Sequence, residues 1–127
     1  MKKIFALAVA TLMLSTVEAQ DNPADLEVVL PYEAQKCVLP ASPDKIPEEA
    51  TLDELKAAKE DVATFQANMI EYRSCLDGAN ADEDLTPGNK QAIVNSFNYS
   101  VEMEERVANR FSEAVRAFKE RQAAASN

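Results

Sequence analysis

The chain has 127 residues, with 13 Lys or Arg against 22 Asp or Glu and a formal net charge of −9. This acidity argues against binding to nucleic acid, which requires a basic surface, and against docking on anionic lipid. The sequence contains no His and only 2 Gly, which excludes histidine catalysis and disfavours a glycine-rich phosphate loop. We therefore expect one small domain without a catalytic residue, a cofactor or a metal.

The first 19 residues have the pattern of a secretory signal peptide. Two lysines follow Met1, an apolar run covers residues 4–14, and Val17 and Ala19 stand where a signal peptidase requires small residues. The apolar run is shorter than the roughly 20 residues that a membrane-spanning helix needs. The sequence thus predicts export, most simply to the periplasm, and a mature chain from Gln20 that has no membrane span.

Two cysteines, Cys37 and Cys75, follow the predicted signal peptide. An even number of cysteines in an exported chain indicates one disulfide. Their spacing, in a chain without His, fits neither a zinc site nor a Cys-x-x-Cys redox pair. Free thiols and an intermolecular bond remain as alternatives.

Residues 20–50 hold five of the six prolines and are expected to be extended, because proline fixes φ and disfavours helix at the preceding residue. The apolar run over residues 26–30 fits a short strand or an apolar clip. No partner strand is visible in the rest of the chain, which favours the clip.

Two long helices are predicted after this segment. Thr51 and Glu54 form a capping box for helix 1, about 52–77, which Gly78 should end. Thr86 and Pro87 begin helix 2, about 87–124. Apolar residues alternate at spacings of three and four in both helices, which is typical of a coiled-coil seam. The seam comprises Leu55, Ala58, Val62, Phe65, Met69, Tyr72 and Leu76 in helix 1, and Val94, Phe97, Val101, Glu104, Ala108, Phe111, Val115 and Phe118 in helix 2.

The predicted fold class is all-α: an antiparallel, coiled-coil-like two-helix hairpin over residues 51–124, with residues 20–50 as an extended proline-rich strap. A bond between Cys37 and Cys75 requires residues 38–50 to run back along helix 1, which is about 36 Å long up to Cys75. A single seam stabilises a hairpin only marginally. We therefore expect the strap, the disulfide or a second copy of the chain to cover it.

A second, weaker apolar stripe follows helix 2. Its main members are Ile93, Met103 and Val107, and Ile70 adds to it from helix 1. Apolar surface in excess of one seam calls for another partner. The stripe is therefore predicted to bind an unidentified protein or a second copy of the chain, as a homodimer.

Other candidate sites offer little chemistry. The acidic loop over residues 77–84 suggests a calcium site, but it lacks the ligand positions and the glycine of an EF-hand, so a solvated loop is expected. Glu102 and Glu105 are expected to face water. Glu104 interrupts the seam, either bound to Gln66 or bent out to solvent.

The pattern Cys37-x-x-Pro-x-x-Pro43, followed by Ile46-Pro47 and later by Tyr72-x-x-Cys75-Leu76, resembles a pattern in small exported proteobacterial proteins of unknown function. The resemblance covers residues 37–76, with a looser similarity in helix 2. It implies a periplasmic helical hairpin with one disulfide. It implies no activity and no catalytic residues.

Two functional hypotheses follow. The first is a non-enzymatic exported protein that acts through protein–protein contacts, as an adaptor, an inhibitor or a structural part of the envelope. The second is a chaperone-like holdase that binds exposed apolar segments along the helical groove. A holdase would suppress the aggregation of several unrelated clients, whereas an adaptor would enrich one partner.

Overall fold

A computed structural model describes residues 22–127, and the predicted signal peptide with its cleavage site lies outside these residues. The described chain forms a 3-10 turn at Pro23–Leu26, a short helix α1 at Tyr32–Gln35, and two long helices, α2 at Leu52–Asn80 and α3 at Pro87–Ala125. Residues 26–30 form no strand. None of the helices within residues 22–127 has the length and apolarity needed to cross a membrane.

The start of α2 is fixed by the predicted capping box. The Thr51 hydroxyl accepts a hydrogen bond from the Glu54 backbone N–H at 3.2 Å, and the Glu54 carboxylate accepts the Thr51 backbone N–H at 2.7 Å. The backbone N–H of Thr51, with its hydroxyl as a second donor, lowers the pKa of Glu54 below its ordinary value of 4.5. The box satisfies donors that a helix start otherwise leaves unpaired.

The predicted end of α2 at Gly78 is wrong. Gly78 has no positive φ, and the helix continues to Asn80. Ala79 is buried in the hydrophobic core. The burial of Ala79 stabilises the helix beyond residue 77. Gly78 therefore lies inside the helix and does not cap it.

The cap of α3 is built from Thr86 and Asn89. The Asn89 backbone N–H donates to the Thr86 hydroxyl at 3.1 Å, and the Asn89 side-chain oxygen accepts the Thr86 N–H at 3.2 Å. Pro87 occupies the first turn, where its missing N–H costs nothing. The predicted start of helix 2 is therefore observed.

The two long helices pack together and run in opposite directions. Arg73 forms an ion pair with Glu104 at 2.7 Å. At the far end of α3, Arg121 donates to the carbonyl oxygens of Glu48 and Ala50, both at 2.8 Å. The end of α3 thus lies beside the start of α2.

The hydrophobic core is concentrated near the loop that joins the long helices. Met69 and Leu76 are fully buried. The core cluster consists of Ala34, Phe65, Met69, Tyr72, Leu76, Ala79, Ile93 and Val107. The seam predicted for helix 1 therefore faces the core at most of its positions.

The face of α3 that packs on α2 differs from the predicted one. Ile93, Ser100 and Val107 are buried, whereas Val94 and Val101 are 47% and 37% exposed. The predicted seam is thus wrong by one residue at these positions. Small Ser100 explains the choice, because it allows close approach of the helices and satisfies its hydroxyl by donating to the Phe97 carbonyl at 2.6 Å.

The segment before α2 is not wholly extended, which corrects the prediction for residues 20–50. Tyr32–Gln35 form one helical turn, α1, whose Ala34 is buried against α2. Cys37 follows directly and bonds to Cys75, with the Cα atoms 5.7 Å apart. The predicted intramolecular disulfide is therefore present, and no cysteine in the described residues is free.

Residues 38–50 lie beside α2 and follow it in the reverse direction. Near the disulfide, Val38 and Tyr72 line the same surface cleft. Further along, Ile46 lies with Ala58 in another cleft. The segment thus moves toward the start of α2 as its residue numbers rise.

The residues before α1 pack on the first turn of α3. The Asn89 side-chain amide donates to the Val29 carbonyl at 2.8 Å. A Cβ on Gly88 would collide with the Glu27 carbonyl group, whose carbon would lie 2.6 Å away. Gly88 is therefore the residue that permits this close backbone approach.

Candidate functional site

A cleft of about 180 Å³ lies where the segment before α2 crosses the groove between α2 and α3. We call it the front cleft. Its walls come from the proline-containing segment, from the first half of α2 and from the middle of α3. The lining residues are Pro43, Asp44, Lys45, Ile46, Pro47, Glu54, Ala57, Ala58, Asp61, Val62, Val107 and Arg110.

The front cleft has an apolar floor because small and branched side chains meet there. Ala57 and Ala58 leave space beside α2 that a larger side chain would fill, and Val107 closes the bottom from α3. Pro43 and Pro47 stiffen the opposite wall. The space between these side chains is therefore an open cleft and is not filled by a side chain of the protein itself.

The rim of the front cleft is charged on both sides. Asp44 and Asp61 supply carboxylates, whereas Lys45 and Arg110 supply cations. Within residues 22–127, Lys45 and Arg110 enter no salt bridge. Two cations are therefore available beside an apolar hollow.

A second cleft, of about 320 Å³, adjoins the front cleft. Lys45, Ile46 and Pro47 line both of them, and small Ala114 and Ala117 of α3 form the floor of the second. Ile46 thus stands between two hollows at the end of the molecule farthest from the connecting loop.

The size of the front cleft limits what it can hold. A cavity of about 150 Å³ accepts a benzene-sized group, and sites for larger ligands usually measure about 300–1,000 Å³. At about 180 Å³, the hollow matches one apolar side chain. Its lining includes no Ser, Thr, Cys or His that a base could activate as a nucleophile.

The predicted interaction stripe is not a surface of this structure. Ile93 and Val107 are buried between the long helices, and Met103 is half-buried against the same core. Ile70 alone among the predicted members is open to solvent, with 63% of its surface exposed. The stripe prediction is wrong at Ile93 and Val107 because these two residues form the inner face of α3. The prediction had placed Val94 and Val101 on that face.

The carboxylate cluster on α3 separates into two environments. Glu102 and Glu105 are exposed, as predicted. Glu104 binds Arg73 and not Gln66, and the same guanidinium contacts the Ser100 hydroxyl at 3.5 Å and faces the Phe97 ring at 6.0 Å. The role of Arg73 was not predicted, because its partners Ser100 and Glu104 lie 27 and 31 positions away and no local spacing links them.

The acidic residues 77–84 lie partly in the last turn of α2 and partly in the connecting loop. In the loop, the Asp84 N–H donates to the Asp82 side chain at 3.0 Å. Within residues 22–127, no group of three or more His, Cys, Asp or Glu side chains is arranged to hold a metal ion.

Compared with known proteins, this chain matches no family model, no curated protein and no solved structure. The physical character of its surfaces is therefore the basis for a functional proposal. The front cleft combines an apolar lining with two cations, Lys45 and Arg110, that form no salt bridge within residues 22–127.

Proposed function

We propose that the protein is a non-enzymatic, exported protein that acts through protein–protein contacts, as an adaptor, an inhibitor or a structural part of the envelope. In this proposal a partner inserts one apolar side chain into the front cleft. The observation that carries the proposal is the match between the size of the hollow and one side chain, together with its apolar floor.

The chemistry of the rim specifies the partner further. Binding energy in protein interfaces is concentrated in a few anchors that fill pockets, surrounded by polar contacts. Lys45 and Arg110 stand beside the hollow without an ion pair among the described residues. We expect the anchor of the partner to be Leu, Ile or Phe, with an acidic residue next to it that binds these two cations.

The part of the strap that follows the disulfide, residues 38–50, has a defined role in this proposal. It forms one wall of the cleft, and it is held at one end by the disulfide and at the other by hydrogen bonds from Arg121 to Glu48 and Ala50. A wall that is fixed before binding loses less conformational entropy when the partner docks. The hairpin would thus serve as a rigid support for the strap.

Export to the periplasm is part of the same proposal. An intramolecular disulfide such as Cys37–Cys75 persists in oxidising compartments and is rare in the cytosol. Fractionation of cells that produce the full chain would test the location.

Photocrosslinking tests the docking proposal. A photoreactive amino acid in place of exposed Asp44, at the rim of the front cleft, should capture one dominant partner in cells and leaves both cations in place. Ala57→Phe should fill the hollow and reduce this crosslink at least about tenfold, the effect of losing one anchor contact of about 1.4 kcal/mol. Ala67→Phe, an exposed alanine outside the cleft lining, should leave the crosslink unchanged.

The holdase hypothesis remains the second candidate, and exposed apolar residues such as Ile70 and Val94 favour it. A holdase would give a ladder of crosslinked products from position 44 and would suppress the aggregation of several unrelated unfolded proteins. An adaptor would do neither. A crosslink that Ala57→Phe and Ala67→Phe reduce equally would contradict docking in the front cleft.

A further inference from the structure

The disulfide between Cys37 and Cys75 lies at the surface of the molecule. Cys75 is exposed on α2, whereas Cys37 is half-buried and packs against the hydrophobic core. Cys75 lines two open clefts of about 300 and 270 Å³, one toward the end of α2 and one toward its start. A reagent in solvent can therefore reach this disulfide from the side of Cys75.

The residues one turn after Cys75 are Gly78 and Ala79, the two smallest amino acids. In an α-helix a side chain points back over the preceding turn, so a larger residue at position 78 would cover Cys75. No side chain of the described residues lies within 4 Å of the place where a Cβ of Gly78 would stand. A glycine inside a helix is unfavourable relative to alanine, and no positive φ requires one here. Gly78 thus leaves Cys75 uncovered.

The segment that follows the disulfide packs on the helices with one face only. From residue 37 to residue 46, each half-buried residue is followed by two exposed ones. A period of three is typical of a polyproline II helix, which has three residues per turn and no internal hydrogen bonds. The half-buried residues are Cys37, Pro40, Pro43 and Ile46. The other two faces of the segment are open to solvent.

Two anchors hold this segment at its ends. Within residues 22–127, no hydrogen bond or salt bridge joins residues 38–47 to α2 or α3. The disulfide fixes the first end, and hydrogen bonds from Arg121 to the carbonyl oxygens of Glu48 and Ala50 fix the other. Breaking the disulfide therefore leaves residues 38–47 held by one end and by a few half-buried side chains.

We propose that the Cys37–Cys75 disulfide is a redox switch of the front cleft, opened by a dithiol protein that attacks Cys75. While the bond is intact, residues 43–47 form one wall of the cleft. After reduction this wall leaves α2, and the cleft loses its shape. The inference rests on the proposed function, because the switch regulates docking at the same cleft.

The exchange reaction balances with the dithiol as the only reductant. One thiolate of the dithiol attacks the Sγ atom of Cys75, the bond to Cys37 breaks, and the electron pair leaves on the sulfur of Cys37. The second thiolate then attacks the sulfur of the reductant in the mixed disulfide and releases Cys75. The dithiol becomes a disulfide, and the two released thiolates take up the two protons that the dithiol gave up.

The charges around Cys75 specify the reductant further. Carboxylates of Glu33, Glu71 and Asp82 line the clefts beside it, and Lys36, which lines both clefts, is paired with Glu33 at 2.8 Å. Negative potential repels an anionic thiol, whereas positive groups around an attacking thiol raise its local concentration. We therefore expect the reductant to have basic residues around its reactive thiol.

Reduction of the purified, folded protein by thioredoxin tests the switch. We expect reduction without denaturant, cleavage by trypsin after Lys45 that is at least about tenfold faster, and an unchanged helical signal in circular dichroism. Thioredoxin that lacks its second cysteine should form a mixed disulfide, which peptide mapping should place on Cys75. A bond that is reduced only in urea, or a mixed disulfide on Cys37, would overturn the proposal.

A side chain at position 78 tests the access to Cys75. Gly78→Leu should slow reduction by thioredoxin at least about tenfold, because the leucine would lie over Cys75. Ala67→Leu is the matched control, since Ala67 is exposed on α2 but lines neither cleft beside Cys75. It should leave the rate unchanged. Equal rates for the two variants would overturn the assignment of Cys75 as the attacked residue.

Small thiols of opposite charge test the choice of reductant. At equal thiolate concentration and low salt, cationic cysteamine should reduce the bond about threefold faster or more than anionic mercaptoethanesulfonate. This advantage should disappear at about 1 M salt, which screens the carboxylates. Equal rates at low salt, or a faster anionic thiol, would overturn the expected basic reductant.

Crosslinking in cells connects the switch with the front cleft. Brief treatment with dithiothreitol before irradiation should reduce the crosslink from a photoreactive residue at position 44 at least about tenfold. The same treatment should leave the crosslink of Gly78→Leu unchanged, which controls for effects of the reductant on the partner. A crosslink that persists after the bond of the unchanged chain is reduced would overturn the switch. Absence of any crosslink from the oxidised protein would contradict the proposed function, whereas release of residues 38–47 by thioredoxin would still support the switch.

Discussion

The two ends of the α2–α3 pair are covered to different depths. At the end with the connecting loop, Met69 and Leu76 are fully buried, α1 and the disulfide lie against α2, and the 3-10 turn packs on α3. At the opposite end, Leu55 and Ala50 are buried, but Val115 and Phe118 remain half-buried and both clefts open to solvent. We refer to these as the loop end and the open end.

The comparison of the loop end with the open end shows that helix formation and side-chain burial have different causes. Both ends carry heptad spacing of equal regularity, and both long helices begin with a side-chain cap. The loop end gains its core from a third layer, residues 23–37, that rests on the helices. The open end has only residues 43–50 above it, which leaves hollows. A regular seam thus specifies that helices form and pair, while the third layer decides how deeply their side chains are buried.

The largest expected contrast lies between two leucines of α2. Leu76→Ala, at the loop end, should lower the free energy of unfolding by about 3–5 kcal/mol, because it leaves a cavity in a closed core. Leu52→Ala, at the open end, should lower it by less than about 1 kcal/mol, since Leu52 is 52% exposed. Urea denaturation measures both. Equal losses would show that Leu52 is packed as tightly as Leu76.

Loss of the disulfide should weaken the loop end first. The bond closes a loop of 38 residues, for which its removal by Cys37→Ser with Cys75→Ser should cost about 2–4 kcal/mol. Residues 38–50 should then leave α2, and trypsin should cleave after Lys45 at least about tenfold faster in limited proteolysis. The Arg121 contacts to Glu48 and Ala50 hold the other end of this segment. If cleavage after Lys45 stays slow, the open end and not the disulfide holds the segment.

Two glycines in helices provide a matched pair of opposite sign. Gly88→Ala should destabilise the protein by about 1–3 kcal/mol, because the new Cβ collides with the Glu27 backbone. Gly78→Ala should stabilise it by about 0.5–1 kcal/mol, since Gly78 lies inside α2 with no atom within 4 Å of the added Cβ. Thermal denaturation of both variants decides the matter. A gain in stability at Gly88 would mean that residues 23–29 do not pack on α3.

Local sequence patterns were sufficient for part of this architecture. The caps at Thr51 and Thr86 and the seam of α2 depend on residues a few positions apart, and they were predicted. The disulfide followed from the cysteine count and the expected compartment. Contacts that join distant residues carried no local pattern, as with Asn89 and Val29, which are 60 positions apart.

The inner face of α3 could not be chosen from the sequence, because two adjacent stripes are both apolar. The one through Val94 and Val101 looked like the core. The one through Ile93, Ser100 and Val107 is equally regular and forms it, because small Ser100 lets the helices approach. The front cleft was not predicted for a different reason. Ala57 and Ala58 look like ordinary helix formers in the sequence, and the cleft exists only because residues 43–47 lie beside them.

The smallest expected effect on stability is a pH dependence that differs between the helix caps at the two ends. At the open end the α2 cap uses Glu54, whose pKa is lowered from 4.5 chiefly by the Thr51 backbone N–H. At the loop end the α3 cap uses Asn89, which does not titrate. Because the folded-state pKa of Glu54 is lowered, its contribution to stability is complete above about pH 4.5 and is lost as the pH falls through the lower, folded value.

Melting temperatures of Glu54→Gln and the unchanged protein should therefore differ near pH 6 and converge as the pH falls below about 4.5. The variant keeps an acceptor for the Thr51 N–H but loses the charge that interacts with the helix dipole. Glu60→Gln, an exposed site within α2, accounts for the general effect of removing one negative charge. Asn89→Asp should introduce a similar pH dependence at the loop end, because it places a titratable carboxyl in the other cap. If Glu54→Gln and the unchanged protein keep the same difference from pH 6 to pH 3, the carboxylate does not act through the cap.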